Sequence, residues 1–509
     1  MTTLTLQMLQ NAPQGVFNVN TDYYIADNTL SVPANMTFNF SSGGSISGHT
    51  IVFNHTTIIG TLNHAIISIA KGTIANSIVY MSWFANVNNV EVEFANQTVN
   101  YDEDATIENT VYIHGNNVIF DGMGNDFFCN ASFFSNQGYS NITIKNFNAT
   151  ANRTNTNLVF YEMPSINHVH IQNIQVYNNV LNNFKIGISL NNDEEDASVS
   201  YSNVYNNHIT FCPGHDSGLG YGIHLANVKY CTVSDNEVVN CGRHAIYHAY
   251  GEYNTISDNI IREHCQDLTD YRLLAALEIG RKSKNVTVEN NTFVNCNNVC
   301  LLIYSPMPSN DNCTGNEYHW RYGKCENIIV QNNSFYKGNL NGTVGNYPFI
   351  YIGVQNHLYS ELSAAGNVVK NVTISGNLFE KVECENQKCV LVYQCEILEI
   401  SGNTFQLGLP LSPQSNRYLV IHIPSDHISG FHTAMTVAEN TFKYFTPGHG
   451  NLYLIGEDMT LINTINSPDY TIAWTSNTYI NRYLGGIERF KRSQYTPGNN
   501  FTISQEPTY

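Results

Sequence analysis

Charge is scarce in this chain: Lys, Arg, Asp and Glu make up 13% of its 509 residues, about half the share of an average globular protein. What charge there is leans one way, with 23 Lys and Arg against 41 Asp and Glu and a formal charge of −18. No polybasic stretch occurs, which leaves no face for counterion release and excludes nucleic acid as a partner. Apolar runs never approach the roughly 18 residues of a membrane span, so no membrane insertion is expected. The opening residues lack the positive start and apolar run of a secretory signal, which predicts synthesis in a cytoplasm. Cysteine is dilute, 12 in the chain, and no Cys-x-x-Cys pair is present, so neither a disulfide scaffold nor an ordinary zinc motif is read. Helical periodicity is nearly missing as well; its best stretch, residues 269–277, runs into a strand pattern.

Amide takes the place of charge. Asn pairs recur, at Asn116-Asn117, Asn182-Asn183, Asn206-Asn207, Asn290-Asn291 and Asn332-Asn333, residues that tight turns and side-chain ladders use well. They belong to an internal repeat, an alternating strand, a turn and a second strand, as in Asn141-Ile-Thr-Ile-Lys-Asn-Phe147, Asn285-Val-Thr-Val-Glu-Asn-Asn-Thr-Phe293, Asn327-Ile-Ile-Val-Gln-Asn-Asn-Ser-Phe335 and Asn371-Val-Thr-Ile-Ser-Gly-Asn-Leu-Phe379. Strands this short cannot bury an apolar face alone, so copies must stack as coils of a solenoid. The turn Asn is expected both to accept a left-handed backbone and to bond its equivalent one coil away, roughly 4.8 Å along the stack. Cys241, Cys265 and Cys296 fall five or six residues after a repeat Asn and are expected to point inward as reduced thiols.

The repeat resembles the right-handed parallel β-helix proteins of the pectate-lyase-like superfamily, and within them bacteriophage tail-spike and tail-fibre proteins. The Pro33-Ala-Asn35 and Gly43-Gly-Ser-Ile-Ser-Gly48 turns resemble the entry coil of such proteins. The resemblance implies an all-β solenoid over residues 45–480, an N-terminal cap or attachment segment over 1–44 and a C-terminal cap over 481–509. It also implies a homotrimer, assembled with other virion tail proteins, that recognises a bacterial surface polysaccharide. Polygalacturonase-like relatives carry an adjacent Asp pair and Gly-His-Gly; here Gly448-His449-Gly450 stands without an Asp pair and is read as coincidence. The acidic loop Asp193-Glu-Glu-Asp196 and the set Cys296, Cys300, Cys313, His319 and Cys325 are weighed as metal sites and set aside, so no metal or cofactor is expected.

Chemistry on a solenoid sits where outward residues align. Anchoring on inward Ile223, Ile246, Ile279 and Ile303 puts His224, Tyr247 and Tyr304 in one outward row, Glu278 one pleat earlier, Arg243 and His244 at the turn before the strand and Arg281 at the turn after it. His224, Arg243, His244, Tyr247 and Glu278 are the candidate catalytic residues, and Asp216, Glu252, Arg281 and Tyr304 the candidate substrate contacts. A glycan lyase needs a base and a cation facing a uronate carboxylate; a hydrolase needs two carboxylates, which Glu278 with Asp216 or Glu252 would supply. The expected function is a virion tail-spike or tail-fibre subunit that binds, and in one reading depolymerises, a bacterial surface polysaccharide on an open outer face. The alternatives are a free, secreted polysaccharide lyase or glycoside hydrolase of the same fold, and a purely structural virion protein.

Overall fold

The computed structural model describes residues 2–509 except 61–66, 68–69, 153–157, 164–165, 167, 193, 195–196, 215–219, 264–274, 297, 306–322, 338–346, 354–368, 382–387, 393–394, 408–416, 424–432, 445–450, 458–469, 482–486, 492–500 and 504–509. The chain winds as a parallel β-solenoid with three strands per coil. The first sheet has 15 strands, from Ile78–Tyr80 to Phe501–Ile503; the second, 13, from Ala105–Ile107 to Thr478–Asn481; the third, 13, from Val111–Ile113 to Ile487–Lys491. Pairing is parallel throughout the described residues, each strand bonding its equivalent in the coils before and after, as in Tyr221–Ala226 with His244–Ala249. A separate seven-stranded sheet precedes these coils, next to the only α-helix among the described residues, Leu6–Gln10. There the Pro-Ala-Asn turn places Asn35 at φ 60°.

Between the first and second sheets the chain turns within two residues, and the Asn pairs divide the labour there. The first residue of each pair takes the left-handed backbone: Asn178, Asn206, Asp235, Asp258, Asn290 and Asn332 all lie at φ 56–58°, with Gly376 and Gly402 continuing the row at φ 64–65°. The second residue faces inward and builds a ladder. Asn179, Asn207, Asn236, Asn259, Asn291, Asn333, Asn377, Asn403 and Asn440 each donate, from Nδ2, to Oδ1 of the next at 2.9–3.0 Å, and Asn477 accepts the last of these bonds. That same Oδ1 accepts the backbone N–H of the Asn before it, at 3.0 Å for Asn236 to Asn259. The left-handed Asn bond along their own outer row as expected, Asn178 to Asn146 at 3.4 Å and Asn206 to Asn178 at 3.2 Å, and the buried ladder is a second row beside it. A left-handed residue must point its side chain outward at the corner, so the buried amide has to come from its neighbour. Asn182-Asn183 is placed otherwise, with its second residue at φ 66°.

Core packing follows from the ladder by counting along each coil. Two residues past the ladder Asn, an inward side chain meets its copies: Phe293, Phe335, Phe379, Phe405 and Phe442 stack with ring centroids 4.8–5.1 Å apart and planes within 5–7°. Five residues past it come Cys212, Cys241 and Cys296, all buried and free. Cys212 and Cys241 are in hydrogen-bonding contact, and Cys212 joins a row in which the sequence reading had not placed it; Cys265 lies outside the described residues. Cys300 and Cys325 are also buried in the core, and Cys325 Sγ sits 3.0 Å from the Tyr304 carbonyl, its thiol pushed up to about 12 by burial. Such thiols are packing groups rather than nucleophiles.

Because each buried amide is fully engaged, removing one leaves its neighbours unsatisfied. Asn236→Ala strips Asn207 of its acceptor and the Val204 carbonyl of its donor, and it should cost about 3 kcal/mol. Asn206→Ala, at the exposed left-handed position, should cost about 1 kcal/mol. Denaturant melts of both variants check the order.

Candidate functional site

Third-sheet strands bend so that two successive residues face the core. In His244–Ala249, Ala245 and Ile246 both pack inward; in Ala275–Gly280, Ala276 and Leu277 do. Gly222 fills the same place a coil earlier, where an added Cβ would lie 2.6 Å from Val238 and 3.2 Å from the Cys241 sulfur. The bend turns Tyr221 and His244 outward three residues before His224 and Tyr247, and the two rows of rings meet.

The outward rows differ from the expected ones by one slip of register. Ile246 pairs with Leu277, not Ile279, so Tyr247 lies beside Glu278, and His224 beside Tyr247. Glu278 thus shares the row of His224 and Tyr247, while Tyr304 pairs with Gly280 one pleat on. Tyr304 nevertheless bonds to the Glu278 carboxylate. Gly280 permits this, since a Cβ there would meet the Tyr304 ring at 2.7 Å. His244, expected at the turn, opens its strand and sits at the centre of the site.

Tyr221, His224, His244 and Tyr247 form a ring cluster with centroids 5.2–5.5 Å apart, and the Arg243 guanidinium lies 5.3 Å over Tyr221. His244 Nδ1 is 2.8 Å from the Ala275 carbonyl, which can only accept, so that nitrogen carries hydrogen. Its Nε2 faces Glu278 Oε2 at 3.2 Å, and the contact needs a proton in between, on either the carboxyl or the imidazole. Burial raises the Glu278 carboxyl above its usual range, while Arg243, Arg281 and the Tyr304 hydrogen bond pull it back. The same burial pushes the Tyr247 phenol well up. Arg281, at φ 52° beside Lys282 at φ 64°, is held protonated by surrounding oxygens, that of Tyr247 first. Two successive non-glycine residues in this region mark a constrained segment.

The expected open face is not what forms. Glu278 is 4% exposed, His244 1% and Tyr247 6%, because rings from adjacent coils cover one another; His224, Arg243, Arg281 and Tyr304 are half-buried around them. Glu252 is not brought in. It lies in the row of Lys229 and Lys284 beyond a turn, with Lys229 Nζ 3.9 Å from its carboxylate. Asp216, Asp193, Asp196, Cys313, His319 and Gly448-His449-Gly450 lie outside the described residues. Sequence reading missed Tyr221, hidden by the bend, and Glu162, whose register with Ser135 sets it in the row of Ser189 and His224. Burial raises the Glu162 carboxyl too, against Lys185 and Ser135. It stands four coils from Glu278, roughly 19 Å at the usual strand spacing, beyond the roughly 5–10 Å of a carboxylate pair in glycoside hydrolysis.

Comparison with known proteins places the chain. The family described as "Right handed beta helix region" matches residues 165–314 and 221–442, and the chain belongs to it. No curated protein sequence matches. Among solved structures, the tailspike protein of E. coli bacteriophage HK620, in complex with a pentasaccharide, is 12% identical over 89% of this chain and 72% of its own, with a TM-score of 0.42. The A-module of the Azotobacter vinelandii mannuronan C-5 epimerase AlgE6 is 11% identical over 82% of this chain and 92% of its own, with a TM-score of 0.42. The ORF18 protein of Geobacillus virus E2 is 12% identical over 76% of this chain, with a TM-score of 0.36, and the chain spans 54% of that protein's length. These likenesses are of fold.

Behind the cluster, on the inward side of the same strand, His248 is sealed between Ser283 and Asn254. The Ser283 hydroxyl donates to the Gly280 carbonyl at 2.6 Å and so accepts from His248 Nδ1 at 3.0 Å, while Asn254 Nδ2 donates to Nε2 at 2.9 Å. The ring is therefore neutral, and burial lowers its pKa from 6.5 to about 4. The folded state binds fewer protons than the unfolded one, so stability is full above about pH 6.5 and falls as pH drops toward 4, by about 3 kcal/mol. Melting curves across that range should show a loss that is smaller in His248→Gln.

Proposed function

We propose that the protein binds a bacterial surface polysaccharide over the His224–Tyr247–Glu278 row and cleaves it by acid–base chemistry. The observation that carries this reading is the Glu278–His244 contact, which holds one proton at a buried carboxyl between two guanidinium groups. Arg243 and Arg281 supply the cations that an acidic sugar requires, and the shared proton supplies the acid for a leaving glycosidic oxygen. Elimination at a uronate is favoured over hydrolysis, because among the described residues Glu278 is the only carboxylate of the cluster. In this reading His224, half-buried at the edge of the row, takes the proton next to the uronate carboxylate.

The finer reading is a homotrimeric tail-spike or tail-fibre subunit of a virion, capped over 1–44 and 481–509 and joined to other tail proteins. A trimer would set three equivalent sites on one axis and gain avidity. Light scattering should then return three times the 57.1 kDa chain mass; the chain mass itself would contradict this assembly.

With host capsular glycan as substrate, the wild-type protein should release unsaturated-uronate absorbance. Glu278→Gln should lose at least about a hundredfold in rate while keeping glycan binding, since the amide preserves shape and reach. If the face only binds, Glu278→Gln will be mild and Tyr247→Ala will cost more affinity, and the cleavage assignment falls.

A further inference from the structure

One row of left-handed turns on the outer edge of the first sheet is occupied by Asn in most coils. Asn117, Asn141, Asn173, Asn285, Asn327 and Asn371 stand there at φ 52–60°. Their amides bond along the row, Asn173 to Asn141 at 3.0 Å, Asn327 to Asn285 and Asn371 to Asn327 at 2.9 Å. Between Asn173 and Asn285 three consecutive coils depart from this pattern. By register the same position is Tyr201, Tyr230 and Tyr253, at φ 52°, 55° and 59°. An aromatic residue is poorly suited to that backbone and Asn well suited, and the change also interrupts the amide row.

The three rings stack in parallel, with centroids 5.2 and 5.1 Å apart and planes within 7° and 5°. They do not enter the core: Tyr201 is 58% exposed, Tyr230 49% and Tyr253 51%. Thr232 and Thr255 lie two residues on, on the same outward face. Beside the rings runs a row of alternating charge, Lys229, Glu252, Lys284, Glu326 and Lys370, whose members pair with one another, Lys229 with Glu252 at 3.9 Å and Lys284 with Glu326 at 3.4 Å. Lys229 and Lys284, the cations beside the rings, are thus each paired with a carboxylate, on a chain of charge −18.

We propose that Tyr201, Tyr230 and Tyr253 form a second glycan-binding strip, distinct from the Glu278 cluster and taking uncharged sugars. It rests on the glycan-binding reading above and adds a site on a different sheet. Phenols present an apolar edge and a hydroxyl that both donates and accepts, which matches the alternating CH and OH surface of a pyranose. Tyrosine orders at small entropic cost, and hydroxyls flank it. Charge selects the occupant: Lys229 and Lys284 are paired with Glu252 and Glu326 and offer a polyanion little free counter-charge, and the net charge of the chain repels it.

The row itself supplies the control. Replacing all three by the residue of the adjacent coils (Tyr201→Asn, Tyr230→Asn, Tyr253→Asn) suits the backbone and restores the amide row, so the variant should fold and melt no lower than wild type. In affinity electrophoresis through gels containing dextran, mannan, galactan or alginate, the wild-type protein should be retarded by at least one neutral polymer. The triple variant should lose at least tenfold of that retardation, and Glu278→Gln should keep it. Equal retardation of the triple variant, no retardation of wild type by any neutral polymer, or retardation by alginate alone overturns the proposal. So does a drop in melting temperature or in oligomer mass with retardation unchanged, which would make the tyrosines a structural staple or a contact between copies. If Glu278→Gln cleaves normally while the triple variant loses retardation, the cluster reading fails and the strip stands.

Discussion

The buried asparagine ladder is the interaction on which the rest of this structure depends. A corner between two sheets leaves backbone groups that neither sheet satisfies, and inside a solenoid there is no water to take them. An amide can accept from one coil and donate to the next, so a continuous row satisfies both directions at once. Each coil is thereby held to its neighbour in one register, and that register fixes which side chains meet on every face. The phenylalanine stack, the cysteine row, the Glu278 cluster and the tyrosine strip are all consequences of that alignment.

Placing titratable groups on an outward row has a physical effect that one strand alone could not produce. Rings a coil apart cover each other, so Tyr247 and Glu278 are shielded from water although they point away from the core. The shielding raises both groups, while Arg243 and Arg281 limit the cost of a buried carboxylate. His244 is oriented by the Ala275 carbonyl of the next coil, and this leaves its second nitrogen to face Glu278. Stacking thus builds a partly desolvated carboxyl–imidazole pair from ordinary β-strand residues.

The solenoid was legible in sequence because its repeat is written in residues that have few other uses. Asn-Val-Thr-Val-Glu-Asn-Asn-Thr-Phe states a strand, a left-handed corner, a buried amide and a core ring in order. That Glu278, His224, His244 and Tyr247 come together in one cluster was also legible, from the inward Ile anchors. Their adjacency was not. Leu277 and Ile279 both face inward, and a two-residue slip keeps every side chain on its face while changing its neighbour. Spacing cannot choose between them when an insertion intervenes. The bend that turns Tyr221 and His244 outward breaks strict alternation, so Tyr221 was missed and His244 was read as a turn residue. Glu252 was included for its charge, whereas its place in an alternating ion row accounts for that charge. The tyrosine strip was hidden because only register shows Tyr201, Tyr230 and Tyr253 standing where other coils have Asn.

Glu278 and His244 share one proton, with Nδ1 of the histidine fixed by the Ala275 carbonyl. Nitrogen NMR of histidine-labelled protein, with His244 assigned through His244→Gln, tests it directly. Nδ1 should remain protonated across the accessible pH range, and Nε2 alone should respond to Glu278→Gln. An Nδ1 that loses its proton at neutral pH, or an Nε2 signal indifferent to Glu278→Gln, would contradict it.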